Sequence, residues 1–341
     1  MLRDIVKLTQ LDHKFCASLF GVDPDQFNEW MAGNRPIPHF LLPEVASVFG
    51  VHPADITEYH SPSNKEFAPA IWYKLRNQEG NYAPADLELV GLIRKLCFGF
   101  SQLQAILEQN SDVCDGIFQK VRSAVDQSAP IRIQARIAAE IFRNELGWSH
   151  GQTGIGEIIR PNLRGVGMVI VESPVPDSKI EGCSFRVRAE RDVPCVFANS
   201  YKSTWFRRNA VILHEVSHAI FDLEGDPVSI DYRGETGSEL REKRASLFAQ
   251  ECLIPKSALV HAQNQIGIKW HDLDADSLAR IVAACDAEQK LVLRAALDAG
   301  LITIEQNERY GTFECTPLLK RYTQRALTTR EFFQTVPKEK H

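Results

Sequence analysis

His214 and His218 stand four residues apart in the run of residues 206–223, FRRNAVILHEVSHAIFDL. On a helix that spacing puts both imidazoles on one face, where they can take two positions of a tetrahedral zinc ion. Glu215, beside the first of them, lies next to the open position at which water binds and can act as a general base. At such a site the metal acidifies the water, Glu215 takes its proton, and the oxygen attacks a polarised peptide carbonyl. The protonated Glu215 then passes the proton to the leaving amine. The plain alternative is a pair of core histidines satisfied by backbone carbonyls. A carboxylate between them in a buried helix speaks against it, because such a group needs a reason to be there.

A catalytic zinc takes three protein ligands. Residues 236–253, TGSELREKRASLFAQECL, end at Ile254-Pro255 and offer Glu239, Glu242 and Glu251. Thr236 and Glu239 stand in capping-box spacing, which gives Glu239 a structural task. Glu251 sits near the far end of the segment. Glu242 is one turn in, on the side of Ala245 and Ala249, whose small size lets this helix approach the metal helix closely. Glu242 is therefore the expected third ligand, with Glu239 in reserve.

The elements that must position these residues read as α+β. A helix over residues 131–146 ends at Gly147. Residues 167–171 and 195–198 are short apolar strands, and residues 183–188 alternate as a half-buried or edge strand does. Upstream, residues 86–109 carry an apolar stripe of helical period and form a connecting layer after a linker at residues 61–65. The first 60 residues read as short helices, with Asp23 as an N-cap, Pro24 in the first turn, a turn at residues 33–36, and a helix over 41–49. Downstream, residues 277–284 and 287–299 read as helices, followed by a short apolar run at 301–304 and a turn near 307–311. Helices plus a hairpin fit the closing part of the catalytic unit better than a winged helix.

Two resemblances follow from these patterns. ASLFGVDPDQFNEWMAGNRPIP followed by LPEVASVFGV resembles the helix-turn-helix module of lambda-repressor-like proteins, over residues 8–56. Residues 132–255 resemble the catalytic domain of the ImmA/IrrE metallopeptidases. The shared features are Ile180-Glu181-Gly182, Asn199, the motif His214–His218, and the stretch from Glu242 through Ala245, Phe248 and Ala249 to Leu253 and Pro255. Ser246 stands where that family often has Asn, a change expected to touch helix packing more than zinc ligation. The resemblance implies a zincin-like fold with His214, His218 and Glu242 on zinc and Glu215 as the catalytic group. It also implies a protein substrate, a helix-turn-helix transcriptional repressor whose cleavage switches on a stress or defence response. A substrate peptide would add as a strand to an exposed sheet edge near residues 181–188. Tyr201 is a candidate oxyanion donor by position alone.

Composition bounds the alternatives. With 44% hydrophobic and 24% charged residues and a formal net charge of −5, the 341-residue chain is globular and lacks the footprint of a wholesale polyanion binder. Residues 1–60 hold the acids Asp4, Asp12, Asp23, Asp25, Glu29, Glu44, Asp55 and Glu58 against Arg3, Lys7, Lys14 and Arg35. That balance favours docking or packing over DNA binding for the N-terminal module. The eight cysteines are scattered with no CxxC pair, as reduced thiols of a cytoplasmic protein are. A cysteine thiolate could also plug the metal's open position and hold the site latent. No run approaches a membrane span and the N-terminus has no apolar leader. The expected organisation is a module at 1–60, a helical linker region at 61–130, the peptidase domain at 131–316 and a basic tail at 317–341. Rival readings are a non-catalytic zinc-containing sensor or adaptor and a DNA-binding transcription regulator.

Overall fold

The computed structural model describes residues 12–49, 70–75, 112–188, 192–223 and 236–323, with isolated positions at 2, 3, 6, 56 and between 86 and 99. Near the N-terminus, α1 (His13–Leu19) begins at Asp12, whose carboxylate accepts from the N–H groups of Lys14 and Phe15. Next, α2 (Pro24–Ala32) is capped by Asp23, with Pro24 in its first turn, and stops at Gly33 in the left-handed region, φ 75°. With α3 (Leu42–Phe49) these helices close a small core around Phe20, Phe27, Trp30, Val45 and Phe49. The linker expected at residues 61–65 lies outside the described residues. So does most of the helix expected over 86–109, though positions 86, 89, 92, 93, 96 and 99 are helical.

Four strands make one sheet: β1 (Ala70–Leu75), β2 (Val169–Ser173), β3 (Ile180–Arg188) and β4 (Asp192–Asn199), in the order β1-β3-β4-β2. β2 runs parallel to β4, while β3 is antiparallel to both β4 and β1. This corrects the expectation for β3. It is an inner strand whose residues 182–186 are all buried, not a half-buried or free edge, because β1 pairs along its outer side. One face of the sheet meets Leu89 and Ile93, which pack with Ile180, Phe185 and Phe197. Asp86, at the head of that helical layer, accepts from the Ser178 hydroxyl at 2.6 Å and the Lys179 N–H at 2.6 Å.

The other face carries the helices. In chain order they are α4 (Asp112–Ala124), α5 (Ile131–Glu145), α6 (Gly156–Gly165), α7 (Trp205–Phe221), α8 (Thr236–Leu253), α9 (Lys256–Ile266) and α10 (Ala275–Cys285). α7 lies across β3 and β4, and α8 packs between α7 and α5. Phe142 of α5 anchors that layer, 5.5 Å from the Phe248 ring and edge-on to Trp148 at 6.0 Å. α4, which the sequence assigns to the linker region, buries Phe118 and Val121 in the same core, and Arg122 donates to the Ile220 carbonyl at 2.8 Å.

After α11 (Gln289–Asp298) the expected hairpin is absent among the described residues. Residues 304–311 form α12 (Ile304–Gly311) instead. The reason is local: Thr303 and Gln306 make a reciprocal capping box, which starts a helix where an apolar run alone suggested a strand. The expected basic tail is likewise helical at its start, as α13 (Thr316–Tyr322), with Leu319 buried in the main core. Residues beyond 323 lie outside the described part.

Candidate metal centre

The Thr204 hydroxyl starts α7 by accepting from the Arg207 N–H at 3.0 Å. From Val211 to Ile220 every residue of the helix is buried, so His214, Glu215 and His218 project into the protein from a rigid element. α8 brings Glu242 to them. Ala245 and Ala249, buried and small on the expected side, permit the close approach of the two helices.

His214 Nε2 and His218 Nε2 lie 3.1 Å apart, with Glu242 Oε2 3.2 Å from the first and Glu242 Oε1 3.4 Å from the second. With zinc–ligand bonds of about 2.0–2.1 Å, corners of a tetrahedron stand about 3.3 Å apart. The three donors therefore fit one tetrahedral face and leave the fourth corner open. Among the described residues this is the one group of three or more candidate metal-binding side chains. Burial alone would lift the Glu242 carboxyl, but hydrogen bonds and charge from His214 and His218 hold it well below its ordinary value. Burial likewise opposes a charge on His218, yet Asp222, Glu242 and Glu215 together raise it to about 9. The two shifts are one coupling, carboxylate against imidazole, and it keeps Glu242 ionised, the form in which a carboxylate can hold a metal.

Of the other two glutamates considered, Glu251 belongs elsewhere. It shares a cleft with Arg136, Trp148 and His150, and burial pushes its carboxyl up. The side chain of Glu239 and its capping box with Thr236 lie outside the described residues. The cysteine plug gains no support among the described residues. Cys16, Cys114, Cys183, Cys195, Cys252, Cys285 and Cys315 are all buried, and none joins the cluster. Cys97 lies outside the described part. Tyr201 sits in the turn after β4, with its N–H held by Asn199 Oδ1 at 3.0 Å.

The structure adds residues that sequence reasoning missed. Asp222 Oδ2 is 2.8 Å from His218 Nδ1, and its other oxygen accepts from Arg244 at 2.6 Å. A carboxylate on the distal nitrogen fixes the ring and makes it a better ligand. The signal was present, since Asp222 follows His218 by four residues and so shares its helix face. Ser246 Oγ stands 3.4 Å from His214 Nδ1, so the position expected to affect packing contacts a candidate ligand directly.

The motif Ile180-Glu181-Gly182 divides its work. Ile180 fills the core. Glu181 takes a two-pronged ion pair from Arg207, at 2.5 and 2.7 Å, which pins β3 to α7. Gly182 leaves room for the buried Glu215: a Cβ there would stand 2.7 Å from Glu215 Oε1 and 2.6 Å from Val211 Cγ1. Asn199 straps the turn before β3, donating to the carbonyls of Val175 and Ile180 at 3.0 Å each.

Residues 164–280 match the family model described as the IrrE N-terminal-like domain, Peptidase_M78. No curated protein and no solved structure matches the chain. The matched stretch runs from the end of α6 into α10 and contains β2 to β4, both histidines, Glu215 and Glu242. That match agrees with the motifs that resemble the ImmA/IrrE proteins: over residues 164–280, about a third of its length, the chain is similar to the IrrE N-terminal-like domain of the Peptidase_M78 family.

Proposed function

We propose that this protein is a zinc-dependent endopeptidase that cleaves a partner regulatory protein, a helix-turn-helix repressor, to switch on a stress or defence response in the cytoplasm. The observation that carries the hydrolytic reading is the triangle of His214, His218 and Glu242 donors with Glu215 buried alongside. Zinc bound there would polarise a peptide carbonyl and acidify a water. Glu215 accepts the proton of that water and delivers it to the departing amine. Asp222 and Ser246 orient the two imidazoles, and Gly182 with the Glu181–Arg207 pair keeps Glu215 in register with β3. The choice of a protein substrate is supported by the family match, and that of a repressor by the motif resemblance over residues 132–255. Among the described residues no helix is long and apolar enough to cross a membrane, which suits a substrate met in solution.

Metal analysis tests the ligand set: about one zinc per chain is expected in the wild type and none in His214→Ala or Glu242→Ala. Zinc retained in Glu242→Ala would move the third ligand to Glu239. Glu215→Gln should keep zinc and lose cleavage of a co-expressed repressor, read by mass spectrometry. Unchanged cleavage in that variant would remove Glu215 from the chemistry, and no cleavage by zinc-loaded wild type would leave the non-catalytic sensor as the better account. For the N-terminal module a protein-docking role is supported by the exposed acids Asp25 and Glu29 on α2, with Arg35 already drawn to Glu29 at 3.6 Å. Filter binding with a steep salt dependence would return it to DNA.

A further inference from the structure

The sheet brings a segment of the chain's own N-terminal half to the edge beside Glu215. β3 pairs with β4 on one side and with β1 on the other, both antiparallel. Along β1 the register sets Trp72 opposite Ser184, Tyr73 opposite Cys183 and Lys74 opposite Gly182. Gly182 is the residue that touches Glu215, and β1 itself lies against α7. An extended peptide presented to Glu215 gains backbone hydrogen bonds most directly from that same edge of β3. The pairing is also irregular there: the register shifts between Lys74 and Leu75, so Glu181 is skipped in the ladder, while its carboxylate engages Arg207. β1 stands last in the strand order, so among the described residues only its pairing with β3 ties it into the sheet.

We infer that β1 occupies the place of the substrate strand and that residues 70–75 act as a built-in competitor. This rests on the endopeptidase reading above and adds its regulation and substrate class: a polypeptide segment able to extend, run antiparallel to β3 and displace 70–75. Access to the metal is then set by how often β1 leaves the edge, and the apparent affinity of any competitor falls by that fraction.

The test uses the full-length, zinc-loaded protein and a peptidyl hydroxamate, an extended dipeptide backbone with a zinc-binding end, as the probe. Trp72→Pro and Tyr73→Pro each delete one N–H at successive positions, so at least one of them strikes the ladder toward β3. Hydroxamate binding should tighten about tenfold or more in at least one variant, with zinc content unchanged. Tyr73→Cys provides an independent arm, and decides alone if the proline variants do not fold. Facing residues of antiparallel strands lie at about 4.5–5.5 Å between Cα atoms, within reach of a disulfide to Cys183. The oxidised form should lose hydroxamate binding at least about tenfold and recover it in dithiothreitol. Zinc-loaded proteins that bind the probe equally in all these states would overturn the inference, make β1 a permanent strand and leave the peptidase reading standing. Wild type that takes up neither zinc nor hydroxamate would sink the peptidase reading first, and this inference with it.

Discussion

At the residue scale the candidate metal centre is flanked by groups outside its triangle of donors. Asp222 is buried and bound to both His218 and Arg244, so its carboxylate is fixed as it fixes the imidazole. Replacing it by Asn keeps the shape and removes the charge, and zinc affinity should fall by about ten- to a hundredfold, measured by competition with a chelator. Ser246→Ala should cost less, because its 3.4 Å contact with His214 Nδ1 is long for a hydrogen bond. Gly182→Ala should separate the two functions of the site. The added methyl would collide with Glu215 Oε1 and Val211, so cleavage should drop sharply while zinc remains at about one per chain. Loss of zinc in that variant would show that β3 supports the ligands themselves. The histidines and Glu215 were legible because a four-residue spacing has a single helical meaning. The placement of Glu242 beside them could be read from three glutamates because the alanine stripe marks the face of close packing. Asp222 obeys the same spacing rule, and it went unread because it closes no recognised motif.

Elements are held by a second charged cluster on the far side of the matched domain's sheet order. Arg160 of α6 grips Glu172 of β2 through Nε and Nη2 at 2.6 and 2.8 Å, while Arg208 of α7 reaches the same carboxylate at 3.2 Å. Arg160 also donates to Asn209 at 2.7 Å and stacks over Trp205 at 4.2 Å. Burial would raise the Glu172 carboxyl, but the arginines outweigh it and hold it below its ordinary 4.5. A depressed carboxylate contributes stability above its unfolded pKa and loses it as pH falls through the folded one. Wild type should therefore weaken progressively below pH 4.5. Glu172→Gln should be less stable by about 3 kcal/mol at neutral pH, with a shallower acid decline in urea unfolding between about pH 7 and 3. A variant with the wild-type pH profile would put the acid sensitivity elsewhere. This cluster also explains why α6 was not anticipated. With Pro161 inside it and glycine at both ends, the segment has weak helix propensity, and buried Ile159, Leu163 and Arg160 override that local preference. α12 was misread in the opposite direction, since a capping box outranks a short apolar run. β3 shows a third kind of limit. Its alternating pattern suggested one wet face, and the residues that cover it are distant in sequence: Leu89 and Ile93 on one face, β1 along its edge.

For the whole molecule, the division of its apolar interior would make the proposed metal binding a selective stabiliser. The small core around Phe20, Phe27, Trp30 and Phe49 contains none of the candidate ligands. The large core, from Cys114 to Leu319, includes both helices that carry them. A metal that binds only the folded state adds stability in proportion to the logarithm of its free concentration over Kd, about 4 kcal/mol at a thousandfold excess. In a unit of roughly 200 residues each kcal/mol moves Tm by about 2–4 °C, so the large core should melt about 8–16 °C higher with zinc than after chelation. Scanning calorimetry of the full chain should then show the main transition moving with EDTA, and a minor transition from the helices of residues 12–49 staying in place. Glu242→Ala provides the control, because a variant already lacking the third ligand should show little response to the chelator. Joint movement of both transitions would mean that the two cores unfold as one cooperative unit. Wild type indifferent to EDTA would mean that the His214–His218–Glu242 triangle holds its geometry without a cation, leaving its charge balanced by protons alone.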